Sequence, residues 1–344
     1  MRAPKQEFFK ARVAEVIEQG ERAVDGVKNY YQTLRVKFED GAARGKFTVI
    51  ENGKDFQITK DQLVKYGQEI IVAKTTTPNG KTYYSIYDLY RLSNIILLCV
   101  IFFLLVIFIT GKKGFGSILG MILSLGVITF FIIPNILKGG DPLTITLFGS
   151  VFILITTGYL AHGISKKTTI ALLSTLISLF LTVAFAQLAI SLTHLTGLGS
   201  EDAVALQFGP TSIINIKGLF LSGVIIGTLG ALNDITTTQS ATVYELKKTN
   251  PQLKFIQLIE KGINIGQEHA ASLVNTLVLA YAGSALGVFI FLILNPAHIP
   301  YWVIINNEML SDEIVKAIAG SVGLLLSVPI VTFVASYVFS KNKS

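Results

Sequence analysis

One cysteine, one tryptophan and no arginine beyond Arg91 are the first features of this 344-residue chain. A lone Cys99 excludes an intrachain disulfide and any cysteine metal cluster, and its place inside an apolar run makes it filler. Charge is scarce as well: Asp, Glu, Lys and Arg make up 15% of the residues, against ~25% in an ordinary soluble domain. The four histidines, His162, His194, His269 and His298, are scattered without metal-ligand spacing, so no metal is expected. No Gly-x-x-x-x-Gly-Lys-Ser/Thr phosphate loop is present. Neither a nucleophile elbow nor a zinc-binding helix motif occurs. The chain is therefore read as neither an enzyme nor the holder of a cofactor. The net charge is +7, but the basic residues form no patch interleaved with aromatics, and nucleic acid is not an expected partner.

What is abundant is apolar: 51% of the residues are hydrophobic, and they are unevenly placed. Residues 1–91 hold 16 Lys/Arg and 12 Asp/Glu, while the remaining 253 hold 13 Lys and 10 acids. That division predicts two regions with different solvents, a β-rich domain over 1–91 and a membrane domain over 92–344. In the first, Ala11–Ile17, Thr33–Phe38, Lys46–Glu51, Glu69–Ala73 and Thr82–Tyr87 alternate apolar and polar residues as strands do. Asn52-Gly53 and Asn79-Gly80 are turn signals, because both residue types tolerate positive φ. Five short strands predict a small all-β barrel of the OB or SH3-like kind, with Tyr30, Tyr31, Tyr83, Tyr84 and Tyr87 as its filling.

From Leu92 onward seven runs suffice to cross a hydrocarbon layer of ~30 Å, which takes ~20 helical residues. They are Asn94–Thr110, Phe115–Leu137, Pro142–Ala161, Thr168–Leu195, Lys217–Thr238, Gly266–Leu294 and Ile314–Phe339. Backbone groups cannot stay unpaired in lipid, so each is a helix, and the fold class is a seven-helix transmembrane bundle behind the β domain. The segment Asn250–Lys261 reads as an amphipathic helix on the membrane surface. Ten lysines fall in alternate connections (112, 113, 166, 167, 247, 248, 254, 261, 341 and 343), against Lys138 and Lys217 in the opposite ones. This bias predicts a cytoplasmic C-terminus and a β domain outside. A translocated N-terminal domain usually follows a signal or anchor, so an upstream hydrophobic segment is also expected.

The fifth span carries the most unusual residues. Gly223, Gly227, Gly230, Asp234 and Thr238 step by three or four and share one helical face. Small residues admit a neighbouring helix, so that face is expected to be buried against protein, with Asp234 protonated, paired or cation-bound. The sixth span offers Asn264, Glu268 and Asn275 at helical spacing, with Gly283 and Gly287 beyond them. Asp234 lies 17 residues past Lys217, or ~25 Å in from the outer surface, and Glu268 ~3 Å in from the cytoplasmic one. The two depths match closely enough for a site between spans five and six. Lys316, on a face with Gly320 and Gly323, is set aside as a partner for Asp234 because its span begins at the opposite surface.

These same segments carry a family resemblance. Gly-Thr-Leu-Gly-Ala-Leu-Asn-Asp over residues 227–234, then Gln239-Ser240-Ala241 and Glu245-Leu246, resembles the YibE/F-like family of bacterial membrane proteins. So do Gly262-Ile-Asn-Ile-Gly266, the run from Asn275 to Ser284, Asn307-Glu308, Glu313-Ile314, and Gly320-Ser-Val-Gly323 before Pro329. Glu268-His269-Ala270 departs from the Asp-Ile-Met stretch that often follows in the family. The similarity is read as running from the β domain to the C-terminus. It implies a multi-pass protein of the bacterial cytoplasmic membrane and carries no activity with it.

The resulting expectation is a transporter or permease for a small solute or ion. Asp234 would bind a proton or cation, Glu268 would assist, and Asn233, Thr237, Thr238, Asn264 and Asn275 would supply oxygen and amide contacts. The alternative is a non-transporting scaffold, assembly factor or sensor. It would bind an envelope partner through the β domain, with Gly223, Gly227, Gly230, Gly283, Gly287, Gly320 and Gly323 packing helices or holding a homo-oligomer together.

Overall fold

The computed structural model describes residues 5–24, 27–54, 57–77, 80–209, 213–294 and 298–341. It divides into two compact units between Leu105 and Val106.

The first unit is built on one antiparallel sheet in the order β3-β2-β1-β4-β5, from β1 (Lys5–Val24), β2 (Val27–Phe38), β3 (Phe47–Asn52), β4 (Glu69–Thr76) and β5 (Thr82–Leu89). β1 and β2 run well beyond the strands read from the sequence. Glu18 pairs with Thr33 and Glu21 with Tyr30 in an extension whose β1 residues are mostly exposed, so no apolar alternation marks it. Two bulges, at Val13/Glu15 and Val16/Glu18, coil the sheet over a core of Val13, Leu34, Val36, Ile50, Ile70 and Val72.

The sheet is not the closed barrel expected. Its edge strands β3 and β5 approach each other, yet no ladder joins them among the described residues. Closure needs consistent tilt and stagger all the way round. Here β3 has six residues and covers only Gln32–Lys37 of its neighbour, so side chains bridge the seam instead, as Phe38 and Tyr84 do with ring centroids 5.7 Å apart. Tyr83 and Tyr87 are exposed, not barrel filling.

Two buried amides tie the long β3–β4 connection to β2. Gln32 Nε2 donates to the Val64 carbonyl (2.8 Å) while its Oε1 accepts from the Val64 amide (2.8 Å). Asn29 Oδ1 accepts from the Ile58 amide at 2.8 Å. Gly53, at φ +82°, passes under the Tyr30 carbonyl where no side chain fits. On the outer side Lys10 lies 2.9 Å from Glu69 and 3.3 Å from Glu39, and Arg12 bonds Glu39 (2.6 Å) and also Glu69.

The second unit is helical. α1 (Leu92–Thr110) precedes it and contributes its last residues. α2 (Lys112–Val127) continues through a π turn at Ile128–Ile132 into α3 (Ile133–Leu137). Then come α4 (Pro142–His162), α5 (Lys166–Thr193), the short α6 (Glu201–Phe208) and α7 (Ile216–Thr249). α8 (Phe255–Ser284), α9 (Leu286–Leu294), α10 (Tyr301–Ile305) and α11 (Glu308–Lys341) complete it.

Among the described residues six helices are long and apolar enough to cross a membrane, and α8 with α9, bent by 60°, makes a seventh candidate where the pair counts as one span. The bend falls at Ala285 between Gly283-Ser284 and Gly287, where glycine and serine weaken the helix. The segment read as a surface helix, Asn250–Lys261, is instead largely the first two turns of α8. A hydrophobic stretch on one side of a helix suits packing against α11 as well as it suits a lipid surface.

α5, α7 and α11 form the centre, with α4 on α7, α2 on α4, and α8 on α11. Leu154, Leu179, Ile225, Leu232, Ile235 and Leu324 fill the core. Between lipid-soluble helices, close approach and shared polar bonds substitute for the hydrophobic effect. Gly116 lies against the Leu160 carbonyl and Gly120 against Thr157, bringing α2 onto α4. Gly320 faces Thr228 and Leu277, and Gly323 faces Thr182. Thr175 and Thr236 share a hydrogen bond of 2.6 Å between α5 and α7.

The two ends of the unit differ in charge. At one, Lys167 reaches Glu245 (3.9 Å) and stands 4.5 Å over the Tyr244 ring, while Lys247 donates to the Pro251 and Leu253 carbonyls. At the other, Glu308 accepts from Thr196 N (2.6 Å) and Gly197 N (2.8 Å), and Asp141 caps α4 by accepting from Thr144 N (2.9 Å). That amide holds the Asp141 carboxyl below its ordinary range.

Candidate functional site

A cleft of about 690 Å³ opens where α2, α4 and α7 meet beside Val106 and Thr110 at the end of α1. Chain geometry assembles it. Gly111, at φ +62°, turns the chain from α1 into α2 and places Lys113 in the first turn. Gly163, at φ +76°, stops α4 directly after His162. Asp234 and Asn233 come from the middle of α7, and Ser117 and Thr157 complete the polar wall.

Asp234 is exposed to this cleft, near enough to His162 for their charges to interact, with Lys113 acting on the same imidazole. Asn233 Oδ1 and Thr237 Oγ1 are buried with no hydrogen-bond partner among the described residues. One carboxylate, one ammonium and one imidazole can together hold a small charged group or relay a proton.

The remaining expected residues fall elsewhere. Asn264, Glu268 and Asn275 lie on the outward face of α8, whose buried face is Leu258, Gly262, Gly266, Ala270 and Leu277. No residue of α8 lines the cleft that holds Asp234. Thr238 is exposed on α7. Lys316 pairs with Glu313 at 2.6 Å, toward the acid-rich end.

The glycines divide in the same way. Gly320 and Gly323 receive a neighbouring helix, and a Cβ on Gly227 would stand 2.6 Å from the Tyr281 hydroxyl. At Gly223, Gly230, Gly283 and Gly287 a Cβ would meet nothing within 4 Å. Among the described residues no helix presses on the Cβ position of these four. On α7, Gly230 lines the cleft that holds Asp234, and Gly223 lines a smaller pocket at the other end of the helix.

The family model described as YibE/F-like protein matches residues 98–341. The chain belongs to the YibE/F-like family. No curated protein and no solved structure matches it. The match takes in most of α1 and every later helix, so the cleft lies wholly within the YibE/F-like region and the sheet lies before it. With this family and these apolar helices, the chain is a multi-pass membrane protein.

Two features of the YibE/F-like region escaped the reading of the sequence. Lys113 reads in the sequence as a topology marker and His162 as one of four scattered histidines, since nothing local ties either to a residue more than 70 positions away. Gln239 is 3% exposed and donates to the Gly262 carbonyl (2.6 Å) and the Thr332 hydroxyl (2.7 Å), joining α7, α8 and α11. Its signal was the Gly262-x-x-x-Gly266 pair, both of which make room for it: a Cβ on Gly266 would lie 2.9 Å from its amide atoms.

Proposed function

We propose that the protein is a permease for a small charged solute or ion, seated in a bacterial cytoplasmic membrane. Its lysine-rich helix ends would face the cytoplasm and its sheet would lie outside. The supporting observation is the convergence of Lys113, His162, Asn233 and Asp234, from three helices, on one cleft at the lysine-rich end of an otherwise apolar bundle. Ionisable residues in such segments are costly to keep, and their usual use is in substrate or ion paths. The proposed site therefore sits between α2, α4 and α7, with Glu268 outside it.

The test is flux into proteoliposomes containing the full chain, with an internal pH-sensitive dye for protons and labelled sodium, rubidium and amino acids as probes. Asp234→Asn and His162→Gln should abolish whichever flux the wild type supports, at equal protein incorporation. Unchanged flux in both variants would remove the cleft from the mechanism.

The outward polar stripe of α8 supports a second element of this reading, a homo-oligomer in which Asn264, Glu268 and Asn275 meet their counterparts in another copy. Polar side chains turned toward lipid are expensive, whereas amides meeting across a two-fold axis satisfy one another. Asn275→Cys, in a Cys99→Ser background, should cross-link to a dimer in membranes. A monomer alone would dismiss that interface. The scaffold or sensor alternative has its own support in the sheet, where Phe47, Val49 and Tyr66 are 57%, 53% and 76% exposed. It gains if no probe moves while in-cell cross-linking at Phe47 captures a partner.

A further inference from the structure

The acid-rich end holds a second polar pocket, independent of the cleft around Asp234. It measures about 200 Å³ and leads from exposed Ser200 and Asp202, at the start of α6, to Asp312 on α11. Asp312 is 5% exposed, and its Oδ1 is fully enclosed with no hydrogen-bond partner among the described residues. The carboxyl accepts a hydrogen bond from the Gly199 backbone amide, and its other oxygen, Oδ2, lies where a Cβ on Gly199 would collide with it.

The surroundings do not neutralise this carboxyl. On α11 itself the ionisable neighbours are Glu308, Glu313 and Lys316. α6 contributes Asp202, and α7 contributes only Ile216, Leu219, Phe220 and Gly223, none of which titrates. The one cation, Lys316, sits a turn beyond Asp312 but is bonded to Glu313 at 2.6 Å and stacked 5.3 Å from the Phe220 ring centroid. Glu308 is already engaged by Thr196 and Gly197. A carboxylate enclosed in this way, with one backbone amide as its partner, carries a large desolvation cost, which a proton removes.

We propose that Asp312 is a proton-binding site loaded through the Ser200–Asp202 pocket. In the protonated state the carboxyl is neutral and Lys316 stays with Glu313, the arrangement observed. On ionisation the O–H bond breaks, the proton leaves to water in the pocket, and the Lys316 ammonium swings from Glu313 toward Asp312. Nothing in this proposal depends on the cleft at the other end, and its readout is spectroscopic, so flux data cannot decide it.

The experiment is infrared difference spectroscopy of the full chain in lipid as pH is stepped, following the carbonyl band of a protonated carboxyl. The wild type should show a titrating band that shifts in heavy water. Asp312→Asn should lose that band, and Glu313→Gln should keep it. Lys316→Met removes the nearby cation that favours the ionised form, so the midpoint should rise by about one pH unit or more. This second variant carries the test if Asp312→Asn fails to fold. Retention of the band in Asp312→Asn, or an unmoved midpoint in Lys316→Met, would overturn the assignment. A midpoint moved by sodium chloride, relative to N-methylglucamine chloride at equal ionic strength, would overturn it in favour of an alkali-metal site.

Discussion

Replacing Gln239 by Leu should loosen the joint between α7, α8 and α11. The side chain makes two bonds, to the Gly262 carbonyl and the Thr332 hydroxyl, and is almost wholly buried. Interhelical hydrogen bonds within membranes average ~0.6 kcal/mol and reach ~1.7. Two of them set the loss at ~1–3 kcal/mol. Thr332→Val alone removes one bond and should cost about 0.6 kcal/mol. The double variant should then be less destabilised than the sum of the singles by ~0.6–1.7 kcal/mol, because the Gln239–Thr332 bond is counted in both. The assay is SDS-driven unfolding of the full chain in lipid–detergent micelles, read by helical circular dichroism. A coupling within ~0.5 kcal/mol of zero, with Gln239→Leu itself neutral, would refute the view that this amide holds the three helices together.

Other substitutions probe the same logic from different sides. Gly266→Ala would place a methyl 2.6 Å from Val328 Cγ1 and 2.9 Å from the Gln239 amide, and should destabilise by ~1–3 kcal/mol in the same SDS titration. Gly230→Ala meets nothing within 4 Å and trades a flexible residue for a good helix former, so it should be neutral or stabilising by up to ~1 kcal/mol. In the sheet, the Arg12 guanidinium holds Glu39 below the ordinary glutamate value of 4.5. A depressed acid adds stability above that value and loses it as pH falls through its folded pKa. Thermal melting of the sheet should therefore drop below about pH 4.5, and Glu39→Gln should flatten the drop. Gly53→Ala, at φ +82° beneath the Tyr30 carbonyl, should lower the melting temperature of the sheet unit, by ~1–3 kcal/mol in stability terms.

The spans were legible because lipid leaves the backbone one solution. Twenty apolar residues without an acid or base must be helical, and the hydropathy of α1, α2, α4, α5, α7 and α11 says so residue by residue. The strands were legible only where one face is buried. Ala11, Val13, Leu34 and Val36 alternate with polar neighbours, but the β1–β2 extension past Ile17 does not, and it went unseen. Barrel closure depends on bulges and on the reach of β3, which no local pattern encodes. Within the bundle, Asp234 stood out because an acid in an apolar run is conspicuous. Its neighbours did not: Lys113 and His162 occupy positions where basic residues are ordinary helix-end markers, and only the meeting of three helices makes them wall residues. Asp312 was hidden for the opposite reason, since an acid near a helix start normally reads as solvated.

The glycines of α7 show why small residues cannot be read one way. Spacing by three and four places Gly223, Gly227 and Gly230 on the face of Asp234, and such a face admits another helix. On α8 and α11 that inference holds, where a Cβ on Gly262, Gly266, Gly320 or Gly323 would collide with a partner helix's side chain. On α7 it holds for Gly227, which receives Tyr281, whereas Gly223 and Gly230 leave space. Gly230 lines the cleft beside Asn233 and Asp234, with no Cβ to narrow it. Absence of a side chain is thus used in two senses within one bundle: where a polar group such as Gln239 or Thr182 reaches across, it permits contact, and where none does, it keeps a polar hollow open. The residue that distinguishes the two is the one opposite the glycine, so the distinction belongs to the tertiary arrangement. A carboxylate on the second kind of surface keeps its access to water and to solutes, whereas one on the first would have to be neutralised.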